Sequence, residues 1–148
     1  TAAETGHLVL GTLHTTGAVK TIDRIVDALP ADEREQTKAF LANSLIAVVT
    51  QVLVKTADQR GRKAICEIMV VTRAIGKLIM TDQTHQIPSQ LQMGKDLGMQ
   101  MLDQSLLANV QAKEIDPDDA YVYANDKKLF ARFVTDTSVL PKLDLAPG

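Results

Sequence analysis

The sequence predicts an α/β chain that forms its sheet first and is helical through its second half. Three observations carry this. Leu8-Val9-Leu10-Gly11-Thr12-Leu13 is a short apolar run bounded by glycine and polar residues, which reads as a strand buried on both faces, as in parallel sheets. The β-branched runs Val48–Val54 and Ala64–Val71 flank the turn Asp58-Gln59-Arg60-Gly61-Arg62 and predict an antiparallel pair. From Arg73 onward every periodic stretch has helical spacing.

After the first strand, Gly17 to Leu29 reads as a helix. Ile22, Ile25, Val26 and Leu29 repeat at i, i+3, i+4, i+7, and Leu29-Pro30 stops it. A second helix begins near Asp32, with Asp32, Glu33 and Glu35 where negative charge suits the helix dipole. Leu41, Leu45, Val48 and Val52 continue an apolar stripe until the β-branched run turns its end into a strand. The later helices are expected over Arg73–Met80, Thr84–Met93 and Leu97–Ala112, the last with Met99, Leu102, Leu106 and Val110 on one face. Asp116-Pro117 opens another, with Asp116 as N-cap and Pro117 at the first helical position. Tyr121, Ala124, Leu129, Phe130 and Phe133 are its expected packing residues. Beyond Asp136, Pro141 and Pro147 suggest a loose tail.

Composition narrows the function. With 45% apolar residues in 148, the chain is long enough for a real core. Sixteen Lys and Arg against eighteen Asp and Glu leave no basic footprint for nucleic acid. Only 3% aromatics and no Trp weaken base stacking as well. Cys66 is the sole cysteine, so no disulfide forms within the chain and a reduced, cytosolic setting is expected. No apolar run reaches the roughly 18 residues of a transmembrane helix, and no signal peptide is read. A start at Thr1-Ala2-Ala3-Glu4, without Met and almost inside a strand, suggests a piece of a longer protein.

The chemistry-bearing residues follow the first strand. Ligands of open α/β sheets lie beyond the carboxyl ends of strands, which is where Thr12, His14, Thr15 and Thr16 stand. Gly6-x4-Gly11-Thr12 imitates a phosphate loop but lacks the Lys before the Thr, and no other such loop occurs. On an unbroken strand His7 and His14 lie about 23 Å apart on opposite faces, so no shared metal is expected. The bland reading of His14 is a hydrogen-bonded turn histidine. Cys66, in an apolar strand, reads as inert filler, and the methionines as core or interface packing. Glu67 either faces solvent on an edge strand or pairs with Arg24, Arg60, Arg62 or Arg73.

Taken whole, Glu4-Thr5-Gly6-His7-Leu8-Val9-x-Gly11-Thr12-Leu13-His14-Thr15 resembles the histidine box of the type II/IV secretion ATPases. Ala18-x-x-Thr21-Ile22-Asp23-Arg24-Ile25-Val26-Asp27 resembles the helix that follows it. Glu67-Ile68-Met69, Ala74-Ile75-x-Lys77-Leu78-Ile79 and Gly98-Met99-Gln100-x-Leu102-Asp103-Gln104 resemble the PilT-like pilus-retraction subfamily. The likeness runs collinearly to about Asp126. It implies a homo-hexameric ATPase, cytoplasmic and peripheral to the inner-membrane face, working with a platform protein and the pilin machinery. It implies ATP and Mg2+, held mainly by residues upstream of this stretch, since the family's PAS-like domain, P-loop, acidic box and Walker B box precede the histidine box. Without them this stretch alone is expected to be inactive.

In that frame residues 1–72 are the C-terminal part of a RecA-like core, 73–135 a helical subdomain and 136–148 a tail. The resemblance makes His14 a γ-phosphate sensor, with Thr12 and Thr15 adding hydroxyl contacts. It makes His7, Glu67 and Arg24 structural or subunit-contact residues. One segment departs. Ala74-Ile75-Gly76-Lys77-Leu78-Ile79-Met80-Thr81 lacks both arginines and the Glu of the subfamily's Ala-Ile-Arg-Asn-Leu-Ile-Arg-Glu, which leaves service in another assembly open. The competing reading is a free-standing, non-enzymatic module that docks a partner or a motor ring.

Overall fold

The computed structural model describes residues 2–140. Its elements are α1 (Ala18–Asp27), α2 (Arg34–Ser44), β1 (Ala47–Lys55), β2 (Arg62–Val70), α3 (Arg73–Met80), α4 (Ile87–Met93), α5 (Leu102–Gln111), α6 (Pro117–Tyr123) and α7 (Lys127–Phe130), with short 3-10 turns between some of them. Among the described residues the sheet is the β1–β2 hairpin. In β1 the alternation is complete: Val48, Thr50, Val52 and Val54 are buried and the residues between them are exposed. Contacts group the chain into two compact units, one of residues up to 51 with 66–101, the other of residues 52–65 with 102 onward. This grouping divides the hairpin, whereas the sequence division was drawn at residue 72.

The first unit is built on Ile22 and Val26 of α1, Leu41 of α2, Val48 and Met69 of the hairpin, Ile75 and Ile79 of α3, and Ile87 and Leu91 of α4. α1 ends where expected: the Ala28 N–H closes on the Arg24 carbonyl and Pro30 follows. α3 spans the predicted residues, with the Thr72 hydroxyl accepting the Ile75 N–H. α2 and α3 pack so closely that a Cβ on Gly76 would stand 2.8 Å from the Ala42 carbonyl oxygen. Gly76 permits that approach.

The second unit packs Val54, Ile65, Leu102, Leu106, Ile115, Tyr121 and Phe130. Asp116 caps α6, accepting the N–H groups of Asp118 at 2.8 Å and Asp119 at 3.1 Å. Asp103 accepts the N–H groups of Asn125 and Asp126 ahead of α7. Leu129 stays exposed while Phe130 is fully buried. In the described part of the expected tail, Thr137–Val139 form a 3-10 turn and Thr135 and Asp136 donate to Asp118; residues 141–148 lie outside the described residues.

Several expectations are corrected. Leu8–Leu13 forms no strand and lies exposed, Leu10 at 90%. A strand exists through its partners, and no described segment hydrogen-bonds along this one; the expected parallel sheet is accordingly not seen among the described residues. The helix expected from Leu97 starts at Leu102: Gly98 turns left-handed at φ 83°, and Gln100 pairs with Ile68 of β2 instead. Thr84–Gln86 is a 3-10 turn leading into α4.

Candidate functional site

The histidine-bearing segment enters through a turn over residues 2–6, with Gly6 at φ 87°. The Thr5 hydroxyl lies 3.0 Å from His7 Nδ1, so His7 is held locally at the exposed start of the segment. Thr12 and His14 are exposed, and neither side chain has a hydrogen-bond partner among the described residues. The turn histidine expected as the bland alternative is therefore not formed. An imidazole and a hydroxyl without internal partners are both available to a phosphate oxygen.

Thr15 differs. Its hydroxyl lies 2.7 Å from that of Thr21, and Thr21 donates its one hydroxyl proton to the Gly17 carbonyl at 2.8 Å. Thr15 must then be the donor between the two, so its proton is committed to α1. Thr15 anchors the segment's exit, while Thr12 and His14 are presented.

The segment runs straight into α1, whose N-cap position is Gly17, without a side chain, and whose first turn contains no acid. The missing cap comes from β2. Glu67, only 7% exposed, accepts the Ala18 N–H at 2.9 Å through Oε1. Solvent exposure on an edge strand, one expectation for Glu67, thus gives way to a buried helix-capping contact. Burial follows from the pleat, because Ile65, Glu67 and Met69 alternate on the core face of β2. A helix N-terminus attracts phosphates in general; here it already faces a carboxylate.

Arg24 projects from the exposed face of α1. Among the described residues no three His, Cys, Asp or Glu side chains gather as a metal site. A cleft of about 260 Å³ in the first unit is lined by Asp23, Asp27, Lys38, Asp82, Thr84 and apolar neighbours, none of them from residues 2–16. Within it Lys38 donates to Asp82 at 2.6 Å and Glu35 at 2.8 Å, which hold its ammonium above the usual lysine range. Sequence reading missed two residues of the arrangement. Thr21 was legible as a hydroxyl on the buried side of α1. Gln100 lay within a quoted motif, but its pairing with β2 has no local signal.

A family model described as type II/IV secretion system protein matches residues 1–117. The chain belongs to the type II/IV secretion system protein family. It is 52% identical over 120 residues to a twitching motility protein of Neisseria gonorrhoeae, covering 81% of this chain and 32% of that protein. It is 53% identical over 106 residues to the type IV pilus retraction ATPase PilT of Pseudomonas aeruginosa, covering 72% and 30%. A crystal structure of the pilus retraction motor PilT with bound ADP superposes with a TM-score of 0.77 at 36% identity, over 88% of this chain and 36% of that one. The ATPase DotB of Legionella pneumophila shares the fold, with a TM-score of 0.67 at 23% identity over 90% and 34%. The chain spans about a third of the length of the curated relatives it matches. Its fold is the C-terminal portion of a RecA-like ATPase core followed by an all-α subdomain. Among the described residues no helix is long and apolar enough to cross a membrane.

Proposed function

We propose that this chain is the sensor-bearing C-terminal portion of a hexameric, ATP-hydrolysing motor that powers type IV pilus retraction. His14 contacts the γ-phosphate and reports its loss, and Thr12 adds a hydroxyl contact. Thr15 lies beside them, its hydroxyl turned to α1. Residues 1–72 complete the nucleotide-handling core and residues 73–135 form the helical subdomain. ATP and Mg2+ are held mainly by groups upstream of this stretch, and His7 and Arg24 serve structure or subunit contact. The motor works at the cytoplasmic face of the inner membrane with a platform protein and the pilin machinery.

The observation that carries this reading is the presentation of Thr12 and His14 without internal partners, on a segment tied down immediately after them. The relatives, a twitching motility protein and a retraction ATPase, support this direction of the work. Protein-derived groups in phosphoryl transfer mainly position and stabilise charge. His14→Ala in the full-length motor is therefore expected to keep nucleotide binding, slow hydrolysis and abolish ATP-driven movement. Unchanged hydrolysis together with normal motility would refute the sensor role.

A further inference from the structure

The buried carboxylate of Glu67 has no place among the proposed nucleotide-contacting groups, yet the residue it caps, Ala18, follows His14 by four positions. The N–H groups that open a helix need an acceptor, usually the side chain of the N-cap residue. In α1 that residue is glycine and the first turn has no acid. Glu67 fills the gap from 49 positions away in sequence, at 2.9 Å. It is itself held between two clamped neighbours. Gln100 exchanges backbone hydrogen bonds with Ile68, at 2.8 and 2.9 Å, and its side-chain amide donates to the Cys66 carbonyl at 2.6 Å. On the far side of the cap, Thr21 and Thr15 carry the contact on to the residue after His14. All of these groups lie in the first compact unit.

We infer that Glu67 is a positioning residue for His14: by capping α1 from β2 it fixes where the sensing segment leaves the helix, and Gln100 fixes Glu67. The inference rests on the sensor reading of His14. A capping contact used only for stability would shift the melting point and leave the chemistry alone. A positioning contact moves the rate. In the full-length ATPase, Glu67→Ala is expected to lower kcat by roughly ten- to a hundredfold, up to the scale of a group misplaced by about 1 Å, with KM for ATP little changed. Glu67→Gln, whose amide oxygen still accepts the Ala18 N–H, should recover most of the loss. In a His14→Ala background Glu67→Ala should add no further loss, because the group it positions is gone.

An unchanged kcat in Glu67→Ala, an effect on KM alone, or losses that multiply in the double variant would overturn the inference. Should Glu67→Ala fail to fold, Thr21→Val undergoes the same comparison, since it releases Thr15 and leaves the cap intact. A kcat loss in it that vanishes in the His14→Ala background supports the inference, and any other result overturns it. The two readings fail differently. Full kcat in His14→Ala sinks the positioning role, and with normal motility it sinks the sensor as well; lowered kcat in His14→Ala with multiplying losses sinks positioning alone.

Discussion

Three stretches of this chain have the residues of a β-strand: Leu8–Leu13, β1 and its partner β2. Leu8–Leu13 and β1 are both rich in branched apolar side chains. β1 pairs with β2 and alternates buried and exposed along its whole length. Leu8–Leu13 pairs with no described segment, and Leu8 and Leu10 are 77% and 90% exposed. Their local propensities are similar; what separates them is whether a partner is close in sequence. β1 finds its own across a six-residue turn, where the Thr56 N–H meets the Gly61 carbonyl at 3.0 Å. A strand buried on both faces needs neighbours that a hairpin does not supply. The segment that presents His14 has no such neighbour among the described residues, whereas the rest of the first unit closes on itself.

The largest effect that would sharpen this contrast is in paired substitutions. Ile65 is fully buried on the core face of β2, and Ile65→Ala should cost about 2–5 kcal/mol in denaturant unfolding of this chain. Leu10→Ala should cost under about 0.5 kcal/mol in the same measurement. Repeated in the proposed full-length motor, Leu10→Ala should rise to the cost of a core residue. A large loss for Leu10→Ala in the 148-residue chain would show that the segment is packed after all and break the contrast. The exposed apolar run also favours self-association, and sedimentation over a wide concentration range should reveal oligomers.

Sequence legibility follows the same divide. The hairpin, α1, α3 and the Asp116-Pro117 start of α6 were readable, because each is decided by periodicity, turn chemistry or capping within about ten residues. Leu8–Leu13 was misread as a formed strand because composition reports what a segment favours and not whether a neighbour is present. The start of α5 was misplaced for a related reason: Met99 continues the apolar stripe, but Gln100 is taken by a strand more than thirty positions earlier. At the candidate site the types and positions of Thr12, His14 and Thr15 were legible. The commitment of the Thr15 proton and the capping role of Glu67 were not, since both depend on contacts that only the folded chain brings together.

A second test concerns the part that closes on itself. Helix propensity alone favours Gly76→Ala by about 1 kcal/mol. The contact geometry opposes it, because the new Cβ would meet the Ala42 carbonyl, a backbone atom that cannot swing aside. Steric crowding should win, with a net destabilisation of about 1–3 kcal/mol and a lower melting point. A stabilised Gly76→Ala variant would mean that α2 and α3 have slack. The missing arginine at this position of the subfamily pattern would then need an explanation other than packing.

The smallest expected effect is electrostatic and lies in the second unit. Asp118 accepts the hydroxyl and N–H of Thr135, both at 2.6 Å, and the N–H of Asp136. The Thr135 hydroxyl is the main influence holding its carboxyl below the ordinary aspartate range, with the two backbone donors adding to it. A carboxylate whose pKa is depressed by folding stabilises the folded state at pH values above the unfolded pKa, about 3.9. That contribution is lost as pH falls through the lower folded value, because the unfolded chain takes up the proton first. Melting points of the wild-type chain should therefore drop on acidification below about pH 4, and Asp118→Asn should show a shallower drop while starting from a lower melting point near neutrality. Parallel curves for the two proteins would mean that Asp118 contributes nothing specific to acid sensitivity. The bonds from Thr135 and Asp136 would then be incidental to the stability of a unit that otherwise satisfies its polar groups internally.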